Sequence, residues 1–165
     1  MSKIIVGFAL ILACVAWAFA QRSKSTLLIG KEAERLADQC SRPSPKDFTG
    51  TWEPSKDQIV GMESRFIEIS KLKVASCCIV GRRIEKPDDW YMQYAALIWK
   101  GKKIIYVSAV STDQPEYKEI DSKTGSVLAD WRTRAVEICD GGNSWGVIYD
   151  VAARRFSELA VNGIG

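Results

Sequence analysis

The chain has 165 residues, 47% of them hydrophobic, with a formal net charge of +3. That length suits one ordinary domain, the apolar share excludes global disorder, and so small a charge gives no ground for a nucleic-acid partner. Histidine is absent, which excludes Ser-His-Asp and Cys-His arrangements, histidine-ligated metals and the usual general base near neutral pH.

The first segment reads as a leader. Lys3 precedes an uncharged, mostly apolar stretch from Ile4 to Ala20, and Ala18-Phe19-Ala20 is an A-x-A cleavage signature. Residues 1–20 are therefore expected to be a secretory signal peptide, with Gln21 as the mature N-terminus. The alternative is an uncleaved N-terminal anchor, for which Arg22 and Lys24 would mark the cytoplasmic side. Cys14, after Ile11-Leu12-Ala13, loosely matches a lipidation site, but further apolar residues follow it. Only an uncleaved leader would bring a membrane into contact with the protein.

Removing the leader leaves Cys40, Cys77, Cys78 and Cys139. An even number in an exported chain points to disulfides. Adjacent cysteines rarely bond each other, so Cys77 and Cys78 are expected to reach separate partners, Cys40 and Cys139, in either of two pairings. The absence of C-x-x-C spacing argues against zinc and against a thiol-redox role.

Residues 26–40 place Ile29, Ala33, Leu36 and Cys40 on one helical face. Residues 41–54, with three prolines, read as a loop. Ser55 and Gln58 form a capping box, and Ile59, Met62, Phe66 and Ile69 follow at helical spacing, so a helix is expected over 56–71. Residues 77–89 read as irregular. Strands are expected over 90–99, 102–110, 133–139, 145–150 and 156–161, which are rich in aromatic and β-branched residues, with Lys100-Gly101 as a tight hairpin. The polar stretch 111–131 is long enough to be a functional loop. The expected domains are the leader 1–20, an N-terminal helix and linker 21–54, and an α+β domain 55–163. Its expected architecture is one or two helices packed on a curved antiparallel sheet of four to five strands, cystatin-like or NTF2-like.

Gly142-Asn143-Ser144-Trp145-Gly146 matches G-x-S-x-G, the turn that carries a nucleophilic serine in many hydrolases. That turn needs a following helix and a base. Here Trp145, Val147 and Tyr149 alternate as in a strand, and no histidine exists to take the proton. Asp140-Gly141-Gly142-Asn143 is expected instead to be a hairpin between Cys139 and Trp145. Asp88 and Asp89 beside Trp90 would suit a two-carboxylate sugar site, but adjacent side chains point apart. Glu137 is expected mid-strand, paired with Arg132 or Arg134 or facing water. Trp90, Tyr91, Tyr94, Trp99 and Tyr106 crowd the first hairpin. Trp90, Tyr91, Tyr94, Trp99 and Tyr117 are the candidate binding surface, against the plainer reading of cross-strand packing.

The tail Cys139-Asp140-Gly141-Gly142, Trp145-Gly146-Val147, Tyr149-Asp150, Phe156 and Asn162-Gly163 resembles that of a group of small exported bacterial proteins of unassigned role. Trp52-x-Pro54-Ser55 and Gly101 with Ile105-Tyr106-Val107 fit the same pattern, so the likeness spans about residues 50–163. Ser144 stands where an aromatic is usual, and Val151 where a proline is usual. The resemblance implies a periplasmic or secreted location and adds no mechanism. The expectation is an exported, non-catalytic binding protein without cofactor or metal. Its partner would be another envelope protein, and one specific form is an inhibitor or immunity-type protein that inserts the 111–131 loop into an enzyme's cleft. The competing expectation is a small-ligand or enzymatic domain using the concave face of a helix-on-sheet fold, with Glu137 or Asp140 as its acid.

Overall fold

The computed structural model of the chain describes residues 24–74, 83–111, 118–120, 127–137, 139 and 144–163. The elements of its main sheet are β1 (Ser25–Leu28), β2 (Phe48–Thr51), β3 (Tyr91–Trp99), β4 (Lys102–Val110), β7 (Ser144–Asp150) and β8 (Arg155–Val161). A separate hairpin pairs β5 (Lys118–Ile120) with β6 (Val127–Asp130). The sheet order is β1-β3-β4-β7-β8, and β2 joins the same edge of β3 as β1, further along. All pairings are antiparallel except β1 with β3. The fold is α+β, as the sequence implies.

Helices cover both faces, for a reason visible in the strands. Residues 92–97 of β3 and 104–110 of β4 are buried without a polar alternation, which is the signature of a strand with no solvated side. One face carries Ala95, Leu97, Ile104, Tyr106 and Ile148, which pack against Ala33, Leu36 and Ala37 of α1 (Gly30–Ala37). The other carries Tyr94, Ala96, Ile105, Val107, Trp145, Val147 and Tyr149. They pack on Met62 of α2 (Lys56–Glu63) and on Phe66 and Ile69 of the 3₁₀ helix Phe66–Lys71. Each buried Leu, Ile, Val, Met or Phe among them contributes roughly 1.5–3 kcal/mol, and each alanine less.

Two hairpins set the register. Lys100 and Gly101 both have positive φ, 51° and 72°, the geometry of a two-residue turn matched to strand twist. The β7–β8 turn is held by Asp150, whose Oδ1 accepts from the Ala153 N–H at 2.9 Å while Oδ2 meets Lys102 Nζ at 3.5 Å. In β8, Glu158 (φ 55°) bulges out where the β7 register shifts. Phe156 and Leu159 therefore stay on the same side of the sheet.

The Ala153 N–H draws the Asp150 carboxyl below its usual range; partial burial opposes this and Lys102 adds to it. A depressed folded-state value contributes stability above the unfolded value, near 3.9, that is lost as pH falls through the folded value. Asp150→Asn is thus expected to be less stable than the parent at pH 6. Urea melts of the two should converge as the pH falls through the lowered folded-state value of Asp150.

Several local expectations are corrected. Ser25–Leu28 is a strand and the helix begins at Gly30, leaving Ile29 exposed rather than in the core. The short apolar run pairs with β3 in preference to extending a helix through a glycine with φ 55°. The capping box at Ser55 and Gln58 forms, but the helix stops at Glu63. Arg65 (φ −107°, ψ 6°) leaves helical geometry, and the 3₁₀ turn that follows places Phe66 and Ile69 on the sheet. Residues 133–137 are not a strand. Residues 111–131 contain β5 and β6 rather than loop alone. The main sheet has six strands with helices on both faces, and residues 25–51 contribute two of those strands and α1.

Candidate functional site

The most concentrated polar chemistry lies inside the fold. Arg42, in the proline-rich loop after α1, is 4% exposed. Its guanidinium enters the α1 side of the sheet, where its partners among the described residues are neutral. Nε donates to Tyr106 Oη at 3.0 Å and Nη2 to Ser108 Oγ at 2.7 Å. Nη1 donates to Ser144 Oγ at 3.0 Å and Asn162 Oδ1 at 2.6 Å. Burying a cation is costly, and hydrogen bonds to a charged group return roughly 1.5–3 kcal/mol each. The cluster joins the loop, β4, β7 and the chain after β8. Gly163 N donates to Ser41 O at 3.3 Å beside it.

This settles the place of Ser144. It opens a strand, not a helix, is 1% exposed, and its hydroxyl accepts from Arg42. No base lies beside it among the described residues, and the guanidinium that holds it has no acceptor site for the proton. Gly146 is required by a close approach across the sheet. A Cβ there would meet Arg42 Nε at 2.8 Å and the Tyr106 phenol closer still. Gly146→Ala should therefore cost about 1–3 kcal/mol by overpacking, read as a lower urea midpoint with unchanged m.

The Cys40–Cys139 bond closes next to Arg42, with Cα atoms 5.1 Å apart. The expected bonds from Cys40 and Cys139 to Cys77 and Cys78 are corrected accordingly, because the fold brings the end of α1 against the residues before β7. Cys77 and Cys78 lie outside the described residues. Glu137 is exposed beside this bond and not mid-strand. The two sulfurs are joined to each other and so are not thiolates for a metal.

Residues 131–137, which include most of the strand expected over 133–139, are held by side chains instead. Gln93 donates through Nε2 to the carbonyls of Trp131 and Arg134, and its Oε1 accepts from Val136 N at 2.8 Å. Glu32 Oε2 accepts from Ala135 N at 2.7 Å, and Thr26 Oγ1 donates to Arg132 O at 2.9 Å. These bonds satisfy the backbone that a ladder would otherwise use. The expected hairpin over residues 140–143, Asp140 among them, lies outside the described residues.

The candidate aromatic residues are not brought into one patch. Tyr91 packs at 5.0 Å on Trp131, and Trp99 joins the α1-side cluster, with Lys100 Nζ 3.7 Å from its ring centroid. Trp90 meets Trp145 edge-on at 5.9 Å, and Tyr94 is buried, both on the α2 side. Tyr106 belongs to the Arg42 cluster. Tyr117 lies outside the described residues. Asp88 and Asp89 are exposed in the short 3₁₀ turn Pro87–Asp89. Burial first, then the charge of Asp89, raises the Asp88 carboxyl.

A second polar grouping sits at the β1 edge. Glu63, the last residue of α2, accepts on Oε1 from Ser25 Oγ and from Tyr94 Oη, each at 3.0 Å. Burial pushes the Tyr94 phenol well above its ordinary range, and the Glu63 charge pushes it further, so it remains a donor. These three residues, with Thr26, Leu27, Lys56, Ile59 and Val60, line a cleft of about 180 Å³. Neither Arg42 nor Glu63 is marked in the sequence. Arg42 is a lone cation in a proline-rich loop, and Glu63 reads as an ordinary solvated helix position.

A scan against protein-family models and searches of curated proteins and of solved structures return no match. Among the described residues, no helix is long and apolar enough to cross a membrane.

Proposed function

We propose that this is an exported, non-catalytic protein that works by binding another protein at the bacterial envelope, presenting the stretch 111–131 with its β5–β6 hairpin. One observation carries the reading: among the described residues, helices cover both faces of the sheet and leave no open concave face there for a substrate. The Cys40–Cys139 bond supports an oxidising compartment. The likeness of the C-terminal tail to small exported bacterial proteins, and the reading of residues 1–20 as a cleaved leader, support the same location. The buried serine and the cation beside it favour a structural cluster over catalysis. An inhibitor or immunity-type protein is the specific form of this reading, with the hairpin entering a partner's cleft.

The test is affinity capture of the mature chain from envelope extract without reductant, run beside a variant in which a short Gly-Ser linker replaces residues 113–128. The variant should keep its melting temperature within a few degrees and lose the partner. A partner retained by the folded variant would overturn the reading.

A further inference from the structure

The cleft beside β1 combines two features that do not depend on each other. The first is backbone. Strand β1 is bonded to β3 along one side, and among the described residues no strand or loop backbone bonds to its other side. Alternate residues of such an edge turn both N–H and C=O outward, a template for another strand. The second is charge. Glu63 Oε1 already holds two hydroxyl donors, whereas Oε2 has no hydrogen-bond partner, and no cation forms an ion pair with Glu63 among the described residues. The walls between edge and carboxylate are Leu27, Ile59 and Val60, and Val60 is 38% exposed.

We propose that the groove between β1 and α2 accepts an extended peptide segment of a partner protein as an added strand, with one lysine side chain of that segment reaching Glu63 Oε2. Lysine fits better than arginine. A guanidinium fork needs both carboxylate oxygens, and one is taken, whereas an ammonium is a point donor. Its aliphatic stem lies along Leu27, Ile59 and Val60. This site is separate from residues 111–131 and stands or falls without them.

The test is an amide NMR titration of the ¹⁵N-labelled mature chain. The probe is a pool of N-acetylated, C-amidated hexapeptides alternating valine and threonine, with one lysine placed at each position in turn. Shifts are expected in Ser25–Leu28 and Lys56–Glu63. Affinity should fall at least about tenfold, roughly 1.4 kcal/mol, in three cases. These are norleucine in place of lysine, N-methylation of alternate peptide nitrogens, and the variant Glu63→Gln. That variant still accepts from Ser25 and Tyr94, so an unchanged melting temperature separates lost binding from lost folding. The variant lacking 113–128 should bind the pool as the parent does. Absence of shifts at millimolar pool, or equal affinity for the norleucine pool, would overturn the proposal. Equal affinity for the N-methylated pool or for n-butylamine alone would replace strand addition with a small amine site.

Discussion

Arg42→Ala is expected to lower the unfolding free energy by about 4 kcal/mol, a large share of the roughly 5–15 kcal/mol that holds a domain of this size. The deletion acts several times over. The Tyr106, Ser108 and Ser144 hydroxyls and the Asn162 carbonyl all lose a charged donor in a site closed to solvent. Each buried polar group left unmatched costs about 1–3 kcal/mol, reduced where water enters the vacated space. Arg42→Lys separates geometry from charge. A single ammonium cannot serve four acceptors spread over β4, β7 and the chain after β8, so a loss of about 2 kcal/mol is expected. Urea denaturation reads both, with m unchanged if the native surface is retained. A loss under about 1 kcal/mol for the alanine variant would mean that the cluster is not what closes this end of the sheet.

Replacing both Cys40 and Cys139 with serine should cost at least as much. The bond spans a sequence separation of 99 residues. Opening a loop of that size returns roughly 4.7 kcal/mol of conformational freedom to the unfolded chain in the entropy model. Cys40 also tethers the loop that delivers Arg42, so the two perturbations share a structural element. The variant combining Arg42→Ala with the two serines should therefore fall short of the summed losses by about 1 kcal/mol, whereas independent sites would add. Denaturation of the oxidised parent, the double-serine variant and the combined variant measures this directly.

The readable parts of the fold were those in which one local signal and one tertiary role agree. The aromatic and β-branched content of residues 90–99 and 102–110, joined by Lys100-Gly101, gives β3 and β4 almost to the residue. Ser55 and Gln58 mark the start of α2 because both halves of the capping box are local. Composition misled where a non-local contact decides. Residues 133–137 carry strand-like residues, yet Gln93 and Glu32 supply their hydrogen bonds from elsewhere in the chain. Residues 26–40 read as one helix on the spacing of Ile29, Ala33, Leu36 and Cys40, but the free edge of β3 claims Ser25–Leu28. The cysteine pairing was argued from the divergence of Cys77 and Cys78, and nothing local indicates that Cys40 and Cys139 meet. Arg42 was the least legible residue of all. Its four partners come from residues 106 to 162, and no short motif links them.

The location and the architecture meet at one covalent bond, which is also the simplest thing to measure. Peptide mapping by mass spectrometry of the natively produced protein, alkylated without reductant, should yield a fragment joining the Cys40 peptide to the Cys139 peptide, in a chain beginning at Gln21. Carbamidomethylated Cys40 and Cys139, or Cys40 joined instead to Cys77 or Cys78, would contradict the account.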